Sequence, residues 1–355
     1  MSDFSMHLPG KLSNADASIE TDHRADPRIA AAMAMAELAP GVEPLATDAS
    51  YEDCLSYCAA FEAAGEIAHP LMESMMPQLD SVEQRTEVIQ GVDGNDINLY
   101  IHQPAQRSGS LPCIVHIHGG GMVLMTAQDP NFVRWRDHLA SLGMVVVGVE
   151  FRNGGGRLGN YPFPAGLNDC ASAVQWVHAN KAQLNCSTIV ITGESGGGNL
   201  SLATTLKANK EGWVEQIDGV YGFCPYISGN YANPPGELVS LVENDGYMLD
   251  GAMMNAMVKV YDPTGEHAGD PLAWPLNATA DDLQGLPPHI ISVNELDPLR
   301  DEGLEYYRKL AAAGVSAVGK TMHGTPHAGD LSFPDITPEI YADSARSLYG
   351  FALSL

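Results

Sequence analysis

The sequence predicts an α/β fold, a mostly parallel central sheet flanked by helices. One observation is the alternation, from Arg85 onward, of short apolar runs with longer stretches of helical period, the pattern that strand-helix-strand crossovers leave in a sequence. The other is that two of these runs, Cys113 to Ile117 and Thr188 to Thr192, pass directly into glycine-rich turns. Those turns are His118-Gly119-Gly120-Gly121 and Gly193-Glu194-Ser195-Gly196-Gly197.

Residues 1 to about 25 are polar and rich in Asp and Ser, and they read as a loosely ordered arm. A first helix is expected from Asp26, in capping position before Pro27, through Arg28 to Leu38, until Pro40-Gly41 stops it. Ser50 caps a second, with Glu52-Asp53 in its first turn and Leu55, Cys58, Ala59, Phe61 and Ala63 as its candidate buried face. At Arg85 the period changes, and Glu87 to Gly91 and Ile97 to His102 form a hairpin across Asp93-Gly94. Further strands are expected at Cys113 to His118, Val145 to Phe151, Thr188 to Thr192, Val220 to Cys224, His289 to Asn294 and Ala317 to Met322. Helices fall at Asn131 to Leu142, Leu167 to Asn180, Gly196 to Lys210, Glu302 to Ala313 and Pro338 to Leu353. Between Pro225 and Pro288 the alternation lapses into sequence too long for an ordinary connection. Its Met248, Met253, Met254 and Met257 read either as the lining of an adaptable pocket or as plain core.

A serine hydroxyl is a weak nucleophile at neutral pH and needs a tight turn that exposes it to a base. Gly193 and Gly197, two before and two after Ser195, permit one. The glycines after His118 free backbone N–H groups to approach a developing alkoxide, and Gly196, opening the next helix, adds another donor. Ser195 is therefore the candidate nucleophile, and Gly119, Gly120, Gly121 and Gly196 form the candidate oxyanion hole. The two motifs together match the pattern of lipase and esterase hydrolases, in which the acid and the base follow in the order Ser, Asp, His. Asp297 follows the run His289 to Val293, whereas Asp301 suits the cap of a helix starting at Glu302. For the base, Met322-His323-Gly324-Thr325-Pro326-His327 offers two histidines.

From about Gln84 to the C-terminus the chain resembles the hormone-sensitive-lipase-like (bacterial family IV) carboxylesterases of the α/β-hydrolase superfamily. Besides the HGGG and GESGGGNL strings, the resemblance rests on Phe163-Pro164-Ala165-Gly166-Leu167-Asn168-Asp169, Leu286-Pro287-Pro288-His289-Ile290 and Asp297-Pro298-Leu299-Arg300-Asp301-Glu302-Gly303. It implies an α/β-hydrolase fold with a helical cap, and a serine carboxylesterase acting on short-chain or modestly bulky esters through an acyl-enzyme. It also implies no metal or organic cofactor, and a possible homodimer. On this resemblance 1–83 are arm and cap helices, 84–224 and 288–355 the two parts of the core, and 225–287 a cap insertion. Asp297 becomes the acid, and counting from Ala313-Gly314-Val315 places the base at His327, with His323 ending the last strand. His118 becomes structural, its ring holding the glycine loop. Three departures stand out: Met122 replaces the usual aromatic, the loop Asn153 to Tyr161 replaces a Leu-Ala-Pro-Glu stretch, and Ala328 follows His327 in place of Gly. The first makes Met122 a candidate substrate-binding residue. Hydrolysis of a related acyl bond, such as a lactone, carbamate or activated amide, is a second reading. Binding without catalysis, as in plant gibberellin receptors, is a third; those lack the triad histidine.

The 44 acidic and 18 basic residues give a net charge of −26, which repels nucleic acid and anionic lipid surfaces and also resembles proteins of saline habitats. No segment approaches the roughly 20 apolar residues of a membrane span, and the polar N-terminus carries no export signal, so a cytoplasmic protein is expected. The 6 cysteines lack paired metal-site spacing and read as buried free thiols.

Overall fold

The computed structural model describes residues 8–36, 42, 45–46 and 48–355. Helices α1 (Pro27–Ala36), α2 (Tyr51–Glu66) and α3 (His69–Met75) precede the sheet. Its strands are β1 (Val82–Gln90), β2 (Asp96–Pro104), β3 (Leu111–Ile117), β4 (Val145–Val149), β5 (Cys186–Glu194), β6 (Gly219–Phe223), β7 (His289–Asn294) and β8 (Ala317–Met322). Around them lie α4 (Pro130–Ser141), α5 (Ala165–Ala179), α6 (Lys181–Leu184), α7 (Gly196–Glu211) and α8 (Ser240–Glu243). The remaining helices are α9 (Gly251–Tyr261), α10 (Ala280–Leu283), α11 (Arg300–Ala312), α12 (Gly329–Ser332) and α13 (Pro338–Leu353).

The eight strands are ordered β1-β2-β4-β3-β5-β6-β7-β8, antiparallel for the first two pairings and parallel from β4 to β8. The middle strands are buried on both faces, which is why β4 reads Val-Val-Val-Gly-Val without a polar residue. Alternate residues feed opposite layers: Val115, Val147 and Ile191 join one apolar cluster, Ile114, Val146 and Val190 the other. The chain leaves β3 toward β4 on one side and β5 toward β6 on the other. The carboxyl ends of β3 and β5 therefore flank the switch point where open α/β sheets bind ligands.

Strands β7 and β8 fall on the expected residues, and α13 does as well. Edge strand β1 begins five residues before expected, because Val82 to Arg85 pair through their backbone with β2 although their side chains do not alternate. Helix α3 has no counterpart in the sequence reading. Helix α2 has the expected cap, Ser50 and Asp53 exchanging hydrogen bonds as a capping box, but its buried stripe is Cys54, Cys58 and Glu62, while Ala59 and Ala63 are exposed.

The N-terminal segment corrects a further expectation, since the described part of it is packed. Ile19 is buried against Tyr247 and Leu296, Arg24 bonds Asp22, Glu243 and Asn244, and the Asp26 N–H donates to the Gly324 carbonyl at 2.9 Å. Asp22, Arg24 and Asp26 are partnered side chains, which composition alone does not separate from solvated ones. Residues 1–7 and the expected end of the first helix, Leu38 with Pro40-Gly41, lie outside the described residues.

Candidate active site

β3 and β5 run parallel side by side, Ile117 opposite Gly193, so both glycine turns leave the sheet at the same end. The second turn is tight enough that a Cβ on Gly196 would lie 2.5 Å from the Met122 nitrogen and 2.6 Å from that of Gly121. Between strand and helix, Ser195 takes φ 57° and ψ −118°, a sparsely populated conformation for a residue with a Cβ. It is held there from three directions: its N–H donates to Phe223 and its carbonyl accepts from Tyr226 and Asn199. Strain over-determined in this way presents the hydroxyl at the head of α7.

Among the described residues the N–H groups of Gly120, Gly121 and Gly196 have no protein acceptor. Gly119 differs, and corrects its assignment to the oxyanion hole. Its N–H donates to Glu194 Oε1 at 2.8 Å, and a donor committed to a buried carboxylate cannot also point at a reacting oxygen. The other oxygen, Oε2, stands 3.1 Å from His116 Nε2 on β3. Glu194, adjacent to Ser195, thus ties the two turns together. The sequence offered the Glu but nothing to show where its carboxylate goes. His118 stacks on Phe151 with ring centroids 4.3 Å apart and lies 2.8 Å through Nδ1 from the Gly119 carbonyl. Burial pushes its pKa down to about 3, so the neutral ring donates to that carbonyl.

Asp297 follows β7 and is fully buried; its Oδ1 accepts the Leu299 N–H at 2.9 Å and its Oδ2 lies 2.8 Å from His327 Nδ1. His327 sits on the turn after β8, braced by Asp330, which accepts from Asn294 on β7 and Ser344 on α13. The alternatives lie elsewhere. Asp301 is inside the first turn of α11, accepting from the Ser240 N–H and Arg300 Nε, and does not cap the helix. His323 is exposed, with Nδ1 3.1 Å from Glu295 Oε2. Cys224 shares the buried cluster with Asp297 and His327, their ligand atoms within 4.8 Å of one another. Asp297 and His327 of this cluster are already bonded to each other, and burial raises the Cys224 thiol well above its usual range.

Ser195, Gly120, Gly121 and His327 open onto one cavity of about 180 Å³, without a direct hydrogen bond between the serine and the histidine. Its walls are apolar. Met253, Met254 and Met257 of α9 line it with Met248, Phe61 of α2, Met125 and Trp135. Both readings of the methionines hold together, since the three on α9 are buried and face the cavity. Met122, the candidate substrate contact, is not in the lining; with φ 60° its side chain turns into the apolar core. Met125, three residues on, occupies the wall instead.

A family model described as alpha/beta hydrolase fold matches residues 114–330. Carboxylesterase NlhH of Mycobacterium tuberculosis is 32% identical over 284 residues, covering 77% of this chain and 82% of its own. The chain belongs to the hormone-sensitive-lipase-like carboxylesterases of the α/β-hydrolase fold. An arylesterase of Saccharolobus solfataricus is 28% identical across 76% of this chain and 84% of its own. Brefeldin A esterase, described as a bacterial homologue of human hormone-sensitive lipase, superposes with a TM-score of 0.92 at 42% identity, covering 97% of this chain and 98% of its own. The protein is thus a serine carboxylesterase, and no helix among its described residues is long and apolar enough to cross a membrane.

Proposed function

We propose that Ser195, His327 and Asp297 are the reacting triad of this carboxylesterase, with Gly120, Gly121 and Gly196 as the oxyanion donors. The observation that carries this reading is the buried Asp297–His327 hydrogen bond, opening onto the same cavity as a strained serine and free backbone N–H groups. His327 accepts the hydroxyl proton as Oγ adds to the ester carbonyl, and Asp297 fixes the imidazole tautomer and balances the imidazolium. The tetrahedral oxyanion takes the three N–H groups, a single such donor being worth about 3 to 4 kcal/mol. Collapse breaks the bond to the alcohol oxygen, which leaves with the His327 proton. Water, deprotonated by the same ring, then cleaves the acyl-enzyme to release the acid and restore Ser195.

The apolar walls and modest volume suit small, uncharged esters, short-chain or modestly bulky. We place the enzyme in the cytoplasm as a homodimer; six buried unpaired thiols favour a reducing compartment, and the β8 edge, which pairs with no further strand among the described residues, is available for pairing. A serine-directed phosphonate is the direct test. It should attach once per chain, at Ser195, and abolish ester hydrolysis; labelling elsewhere with activity retained would overturn the assignment.

A further inference from the structure

Met125 stands on the cavity wall with φ 72°, in the left-handed region that is strained for a residue with a Cβ. Such a conformation persists where the surroundings fix it from more than one side. Here they do. The Met125 N–H donates to Glu62 Oε1 at 2.7 Å, and its carbonyl accepts from Asn153 Nδ2 at 2.6 Å. Glu62 comes from α2 and is buried; its second oxygen accepts the Arg157 N–H at 2.6 Å. The Arg157 guanidinium returns to the same turn, bonding Thr126 Oγ1 at 3.0 Å and Asp129 Oδ1 at 3.1 Å. Helix α2, the loop from Asn153 and the turn after the glycines therefore meet at one cavity residue.

We propose that Met125 is the specificity-determining wall of the cavity and that Glu62 and Asn153 are positioning residues that hold it. The proposal rests on the esterase reading above. A methionine side chain has three rotatable bonds and adapts to a ligand, but its Cα and Cβ move only with the backbone, and the clasp on both sides of Met125 fixes those two atoms at the wall. The methionines of α9 sit in regular helix and supply adaptable lining. The fixed Cα and Cβ of Met125 set where the wall stands on that side, so branched or bulky acyl and alcohol groups directed at it are excluded, and esters with a slim group on that side are the preferred class.

The test uses p-nitrophenyl esters from acetate to a branched acyl group, with the full chain. Met125→Gly removes the side chain and the backbone strain together, so the fold should keep its thermal midpoint. The ratio of kcat/KM for the branched ester over acetate should rise at least fivefold, chiefly through KM. Glu62→Gln keeps one acceptor oxygen and turns an N–H toward a backbone N–H, so it should move the ratio the same way, about twofold or more. In the Met125→Gly background it should move it no further, because it acts through Met125. An unchanged ratio in Met125→Gly overturns the proposal; a lowered midpoint without a changed ratio in Glu62→Gln overturns the positioning role. Ligand-induced shifts in midpoint by unreactive ketone analogues of the same series, measured in Ser195→Ala, report the wall independently of the nucleophile's identity.

Discussion

Ser195 has its backbone bonded on both sides, so its hydroxyl can be removed without loosening the turn. Ser195→Ala should retain the thermal midpoint while kcat falls about 10⁴-fold or more, read by steady-state ester hydrolysis. His327→Ala should be nearly inactive and His323→Ala close to wild type, because only the former ring faces Asp297 and the cavity. The reverse order would move the base to Glu295's partner. Glu302 concerns stability. It is fully buried, its Oε1 accepts from the Ile227 N–H and the Tyr231 hydroxyl, its Oε2 has no hydrogen-bond partner among the described residues, and burial raises its pKa to about 7. Between the ordinary 4.5 and that value the unfolded chain has released a proton that the folded chain still holds, so stability falls as pH rises through this window and levels above it. The loss reaches at most about 3 kcal/mol. Glu302→Gln should flatten thermal midpoint against pH between about 5 and 7.5 and raise it at pH 8 relative to wild type. Parallel curves for the two proteins would contradict the assignment.

At the scale of elements, the N-terminal segment braces the acid loop. Arg24 donates to Asn244 Oδ1, and the Asn244 amide in turn donates to the backbone carbonyls of Glu295 and Asp297. Arg24→Ala also leaves Asp22 buried without its cation, a loss of a few kcal/mol at sites of this kind. The expected outcome is a midpoint several degrees lower with a smaller fall in kcat, measured side by side. A drop in kcat with an unchanged midpoint would show that the segment acts on the site alone. This brace shows where sequence reading stops. Strands β4 and β7 were legible because branched apolar runs bounded by turns point to buried strands, and Asp297 because an acid after such a run has few structural reasons to be there. The links Glu194 to Gly119, Glu62 to Met125 and Arg24 to Asn244 join residues 75, 63 and 220 apart. Single long-range hydrogen bonds impose no period, so Gly119 reads as one more donor and the N-terminal segment as a solvated arm.

For the whole molecule the dominant number is the charge of −26, which repels itself across an aqueous surface. Added salt shortens the screening length from about 10 Å at 0.1 M to about 3 Å at 1 M. The ion pairs at Glu243 with Arg24 and Arg300 have largely buried partners, so they are weakened far less than the surface repulsion is relieved. Thermal midpoint and hydrolysis of a neutral ester should therefore hold or rise between low salt and about 1 M NaCl. A clear fall in midpoint would mean that exposed pairs, such as Arg134 with Asp335, dominate instead.

The strand order has one more consequence. Ser195 leaves β5, Asp297 follows β7 and His327 follows β8, so the turns that carry the proposed triad start from a hydrogen-bonded lattice of about 4.8 Å per strand, and the turns themselves close the remaining distance. The cavity walls come from outside that lattice, from α2, α9 and the turn carrying Met125. The walls can therefore change without disturbing the sheet from which the proposed triad rises, like jaws on a common vice.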